Sequence, residues 1–180
     1  MRHKINNLLI VTGTGRKSGK TTMVCRIIRQ FKDKGIVSVK ISPHFHEPSP
    51  GLIPVIIKDE YKLYEEIDGI SSKDTSRMVN AGAGKVFYCQ VSDNRIAEAF
   101  AEILKQIPTG MAIVCESPAL IRFFESGIFV IMESEGLNSR EISSIKVFPH
   151  LIFTLDQLNR SDRLPFTFVD GEWKLLNEEA

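Results

Sequence analysis

Between an apolar run and an amphipathic stretch, residues 11–22 read VTGTGRKSGKTT. Glycines at such a place let backbone N–H groups converge on an anion, and the start of a following helix adds partial positive charge. Within this stretch Gly13, Thr14, Gly15, Arg16, Lys17, Ser18, Gly19, Lys20, Thr21 and Thr22 form a candidate cradle for the phosphates of ATP or GTP. Lys20 is placed to reach the β- and γ-phosphates, and the Thr21 hydroxyl to ligate Mg²⁺. Arg16 and Lys17 add positive charge beside the loop. The usual pattern has a glycine five positions before the glycine of Gly-Lys-Thr, but that position here is Thr14, with glycines on either side of it.

Other residues with chemical potential lie downstream. Glu116 ends the apolar run MAIVCE (111–116), where a carboxylate can hold Mg²⁺ or position a water, so Lys20 and Glu116 are the candidate catalytic pair. Lys40 near the end of the second apolar run, and His44 and His46 after it, are candidate contacts for a second substrate. Glu47 is an alternative ligand for the nucleotide's Mg²⁺. The spacing of HFH also suits a transition metal, although no third ligand stands at a telling distance. Arg77 is a further second-substrate candidate, and it lies three residues from Asp74, as a helical ion pair would.

These residues need elements to position them. Residues 5–11 read as a buried strand. Met23, Val24, Ile27, Ile28 and Phe31 form one face of a helix over 21–34, ended by Gly35. IVSVKI (36–41) alternates as a second strand, completing a strand, loop, helix, strand unit. Prolines at 43, 48, 50 and 54 exclude helix or central strand over 42–54, which reads as a long loop. Residues 55–68 read as a short strand and a helical turn, and 71–83 as a helix closed by Gly82 or Gly84. A strand follows at 85–91, then a helix capped by Ser92 or Asp93 that carries Ile96, Phe100, Ile103, Leu104 and Ile107 on one face. Further strands are expected at 111–116 and 127–133. The segment 166–176 alternates around Asp170-Gly171, a strong hairpin signal.

The expected architecture is therefore one α/β domain over residues 1–180, with three layers: a mostly parallel sheet, helices on both faces, and a C-terminal β-hairpin adding antiparallel strands at one edge. Right-handed crossovers bring the glycine-rich loop and Glu116 to the same sheet edge. Trp173 and the hairpin phenylalanines are expected to pack, and an exposed aromatic face there would mark a homodimer contact.

Composition fits this frame. The 180 residues are 43% hydrophobic and 25% charged, with a formal net charge of +1. That balance offers no general field for nucleic acid, so an anion must be held locally. Cys25, Cys89 and Cys115 are far apart in apolar segments, which predicts buried, reduced thiols. No apolar run is long enough for a membrane span or a signal peptide, giving the expectation of a cytoplasmic protein.

The loop also carries a resemblance. VTGT before GKT resembles dethiobiotin synthetase, which likewise has threonine at the position of the usual glycine. GRKSGKTT is similar to the loop of the molybdopterin-guanine dinucleotide biosynthesis protein B family. Both belong to the wider P-loop NTPase group that includes MinD-type ATPases and signal-recognition GTPases. The second resemblance continues through VKISPHFH, KDTSRMVNAGA and IVCES, spanning about residues 5 to 133. Ser117 stands where that family has glycine. The resemblance implies a Mg²⁺-dependent NTPase or phosphotransferase acting in molybdenum cofactor biosynthesis, with an unknown small molecule or protein as second partner. Two further readings stand beside it: a nucleotide-regulated adaptor without significant turnover, and a ligase or kinase similar to dethiobiotin synthetase. No NKxD-like guanine motif occurs; FTLDQLNRSD (153–162) is a loose candidate for base contact.

Overall fold

Successive residues of the first strand point to opposite sides of a sheet, and both sides are apolar. In β1 (His3–Gly13), Leu8 and Ile10 pack in one buried cluster while Leu9 and Val11 pack in another. Such a strand needs cover on both faces. The computed structural model, which describes residues 2–134 and 143–176, supplies it with helices on each side.

After the glycine-rich loop comes α1 (Lys20–Gln30), then β2 (Val37–Ser42), β3 (Leu52–Ile57) and β4 (Tyr61–Glu66). Next are α2 (Asp74–Ala81), β5 (Lys85–Val91), α3 (Ile96–Lys105), β6 (Ile113–Glu116) and β7 (Phe124–Glu133). The described chain ends with α4 (Ser143–Lys146), β8 (Leu151–Thr154), α5 (Leu155–Arg160), β9 (Phe166–Val169) and β10 (Glu172–Leu175). Eight strands form one sheet in the order β3-β4-β5-β2-β6-β1-β7-β8. From β5 through β8 every pairing is parallel, whereas β4 pairs antiparallel with β5 and with β3. One face is covered by α1, α2 and α5, the other by α3 and the turn around Leu120.

The expected strands at 5–11, 36–41, 85–91, 111–116 and 127–133 are present, and so is the helix at 21–34 in shortened form. It stops at Gln30, and a single 3₁₀ turn over Lys32–Lys34 reaches Gly35, whose φ of 61° needs a glycine. Gly82, at φ 101°, closes α2. Ser92 and Asp93 lead into a 3₁₀ turn before α3, and neither side chain caps it. All three cysteines are buried and unpaired by disulfide.

Two expectations are corrected. Residues 55–68 hold no helical turn; the stretch completes an antiparallel pair, β3 and β4, with a register shift between Pro54 and Ile56. Tyr61, Leu63 and Tyr64 are buried, so tertiary packing fixes β4 as strand where local pattern was mixed. Pro54 is tolerated because β3 is the edge strand.

The terminal hairpin does not extend the main sheet. β9 and β10 make their own two-stranded sheet, laid on the α1 face. Trp173 determines this placement. It is 2% exposed, meets Phe31 and Phe168 with ring centroids 5.0 Å apart in each case, and donates from Nε1 to the Ile113 carbonyl at 3.2 Å. The hairpin aromatics thus face the core and present no exposed aromatic surface: Phe166 is fully buried and Phe168 partly so. No helix among the described residues is long and apolar enough to cross a membrane.

Trp173→Ala should lower stability by about 3–5 kcal/mol, the cost of emptying a large buried site. Urea unfolding followed by circular dichroism measures this; an unchanged midpoint would mean that the hairpin is not part of the cooperative unit.

Candidate active site

Parallel pairing places Val11 of β1 opposite Glu116 of β6. The chain leaving β1 therefore turns over the C-terminal end of β6, and the glycine-rich loop comes to lie beside Glu116. Gly13 sits at the tightest point. A Cβ there would collide with Ser18 Oγ and lie 2.9 Å from Lys20 Cγ and 3.0 Å from the Met132 carbonyl. Gly19, at φ 93°, starts α1. Lys17 adopts φ 60° at the exposed crest, where it and Arg16 face solvent.

Thr14 occupies the position of the usual glycine without entering the loop's interior. It is 2% exposed, its N–H donates to the Met132 carbonyl at 3.1 Å, and its hydroxyl accepts from the Ser134 N–H at 2.9 Å. The two hydroxyls of Thr14 and Ser134 are 2.8 Å apart. The side chain anchors the loop to the end of β7, and the steric requirement for glycine falls on residue 13 instead. Lys20 lies along the inside of the loop, donating to the Gly15 carbonyl at 2.6 Å and to Ser18 Oγ at 3.3 Å.

A network of charge lies beneath. Thr21 Oγ1 donates to Glu116 Oε2 at 2.8 Å, and Lys40 Nζ donates to Glu116 Oε1 at 3.0 Å. The same ammonium is in close contact with Asp74 Oδ2. Arg77 stands 3.5 Å from the other Asp74 oxygen and donates to Thr22 Oγ1 at 3.4 Å. The Lys40 and Glu116 side chains are only 20% and 7% exposed, so each charge depends on the others for stabilisation. Burial works to lower the Lys40 pKa, but Glu116 and Asp74 outweigh it and hold it above the usual lysine value. Burial likewise works to raise Asp74, and Lys40 prevails, keeping that carboxyl below its usual range.

Asp74, noted in the sequence for its spacing from Arg77 and as part of KDTSRMVNAGA, is not among the site candidates read there. The available signal was Lys40 itself, a lysine at the end of a central strand flanked by Val39 and Ile41. A cation so placed requires a carboxylate from another element.

Three cavities meet at Lys40. One of ≈ 460 Å³ is lined by Arg16, Lys20, Thr21, Thr22, Arg77 and Leu155, with Asp74 and Glu116 at its base. Leu155 brings the 153–162 segment to the loop, where it would lie 3.1 Å from a Cβ at Gly19. A second, of ≈ 250 Å³, is formed by Gly13, Lys20, Ser42, His44, Ser117 and Pro118. The third, ≈ 160 Å³, holds His46, Glu47, Lys73, Asp74 and Tyr88. His44 and His46 thus line different cavities, although their rings are 6.0 Å apart. Glu47 lines the third cavity, which shares Lys40 and Asp74 with the first but not Thr21 or Glu116. Among the described residues, no group of three or more His, Cys, Asp or Glu side chains is placed to hold a metal.

The donor set can still be tested against Mg²⁺ bound together with phosphate. Thr21, Glu116 and Asp74 offer the hard oxygen ligands that Mg²⁺ prefers, and Mg²⁺ ordinarily takes one or two carboxylates plus phosphate oxygens and waters. The residues fit.

Lys40→Met would leave two carboxylates facing each other without their cation. It should cost about 1–3 kcal/mol at neutral pH, below the ~3–5 of a fully buried pair because Asp74 is only half-buried. Asp74 has a lowered pKa, so its contribution is present above its ordinary value of 3.8 and is lost as pH falls through the lowered one. The gap between wild type and Lys40→Met in urea midpoint should therefore narrow from pH 7 to below that window; a constant gap would contradict the pairing. Comparison of the chain with protein-family profiles, with curated proteins and with solved structures gives no match.

Proposed function

We propose that the chain binds a nucleoside triphosphate, ATP or GTP, together with Mg²⁺ in the loop over residues 13–22, as a P-loop NTPase, and turns it over slowly by hydrolysis or phosphoryl transfer. The observation that carries this reading is the Thr21–Glu116 pair. The hydroxyl at the start of the helix after the loop meets the carboxylate ending the adjacent parallel strand at 2.8 Å, directly beside a lysine-bearing glycine loop.

Each residue then has a task. The loop N–H groups and the first turn of α1 would hold phosphate oxygens. Lys20 would donate to the terminal phosphates instead of to the loop's own Gly15 carbonyl. Thr21 and Glu116 would hold Mg²⁺, with Asp74 as a further ligand or the acceptor of a metal-bound water. Arg77, on the rim with Arg16, would add positive charge to the same cavity. Bound Mg²⁺ would neutralise charge on the phosphates as it develops. The resemblance to the molybdopterin-guanine dinucleotide protein B family supports molybdenum cofactor maturation as the setting.

A second reading, a nucleotide-regulated adaptor, draws support from the edge strand β3, where Ile53, Val55 and Ile57 are exposed and available to a protein partner. Turnover separates the two. In a single-turnover assay, wild type should convert Mg-ATP or Mg-GTP and Lys20→Ala should not. Tight binding without conversion would favour the adaptor, and failure to bind either nucleotide would sink both.

Glu116→Gln should reduce Mg²⁺-dependent turnover about a hundredfold while nucleotide affinity changes far less. Equal loss of both would remove Glu116 from the metal and water role.

A further inference from the structure

The ≈ 250 Å³ cavity abuts the glycine loop at Gly13, Gly15 and Lys20, and further walls come from the end of β2 and the residues after it (Ser42, Pro43 and His44) and from Ser117 and Pro118 after β6. Its charged lining is Arg16, Lys20 and Lys40 against Glu116; with Lys20 turned to the nucleotide's phosphates, Lys40 is the lining cation on the β2 side that stays to face a further anion. The cavity is smaller than the ~300 Å³ at which pockets for drug-sized ligands begin. A small anion, or the anionic head of a larger molecule, suits both its size and its charge.

Lys40 decides when that charge is available. Its ammonium is now neutralised by Glu116 and Asp74. Those are the carboxylates that would turn to Mg²⁺ under the reading proposed above. A metal that draws off their charge leaves Lys40, 20% exposed, with a positive charge and weakened counter-ions. A buried cation in that position calls for a new anion, and the cavity it lines beside the loop is where one can enter.

We infer that this cavity is a metal-gated anion site: a carboxylate- or phosphate-bearing second ligand binds against Lys40 after Mg-nucleotide has taken Asp74 and Glu116. The inference rests on the Mg-nucleotide reading and adds to it a ligand class and an order of binding. Metal and anion are positively coupled, and the coupling must be reciprocal.

The test uses the full chain with a fluorescent, non-hydrolysable triphosphate analogue, whose signal reports nucleotide occupancy and whose γ-phosphate fills the terminal phosphate position. Inorganic phosphate and, separately, acetate are titrated by calorimetry at constant ionic strength, with and without Mg²⁺. At least one of the two anions should bind about tenfold or more tightly when Mg²⁺ is present, and it should tighten Mg²⁺ binding in wild type by the same factor. Binding of phosphate but not acetate would identify a phosphate ligand, and the reverse a carboxylate; either outcome supports the site. Lys40→Gln, checked for folding by circular dichroism, should lose the Mg²⁺-dependent part of the anion affinity. Equal anion affinity with and without Mg²⁺ would overturn the proposal, as would no anion binding to nucleotide-loaded wild type, or a folded Lys40→Gln that binds like wild type. Absence of the nucleotide signal in wild type would instead overturn the parent reading, and this one with it.

Discussion

A single ammonium group joins three elements of this protein. Lys40 comes from β2, Asp74 from the first turn of α2 and Glu116 from the end of β6, and the deeply placed charges of Lys40 and Glu116 depend most on the pairing. β2 lies beside β6 in parallel register, and α2 packs on the same sheet face as α1, so that its first turn brings Asp74 to Lys40. Thr21 adds α1 to the network through Glu116. The glycine-rich loop is therefore positioned by electrostatics from below as much as by its own glycines.

Part of this was legible in the chain. Period-two and period-3.6 patterns located the central strands and main helices, because β1, β2, β5 and β6 are apolar on both faces and α1 and α3 on one. The glycine loop could be read because its residue types are dictated by sterics and charge. The β3–β4 pair was not legible: prolines and charged residues obscure its alternation, and β4 becomes strand through Tyr61, Leu63 and Tyr64 packing into a core assembled by distant segments. β8 and α5 were missed for a related reason. They are short, and α5 depends on a reciprocal cap between Thr154 and Gln157 that carries little periodic signal.

The hairpin teaches a different lesson. Asp170-Gly171 correctly announced two strands, but local turn chemistry says nothing about what those strands rest on. Trp173, with one indole donor to satisfy and a large apolar surface to hide, found Phe31 and the Ile113 carbonyl on the helix face. Thr14 shows the converse. Its departure from the expected glycine was plain in the sequence, yet only the Ser134 contact explains why a side chain is accommodated there.

The anchoring of α1 by the C-terminal third has a consequence for how the chain matures. Arg26 donates to the carbonyls of Ser161 and Asp162, and Gln30 exchanges two hydrogen bonds with Leu164, across sequence separations of 134 to 136 residues. During synthesis the glycine loop and α1 emerge well before these partners and the hairpin that covers α1. The glycine-rich loop is thus written early and secured late. Until then the apolar side of α1 is only partly covered, and the nascent chain passes through a long interval in which this helix lacks its full protection.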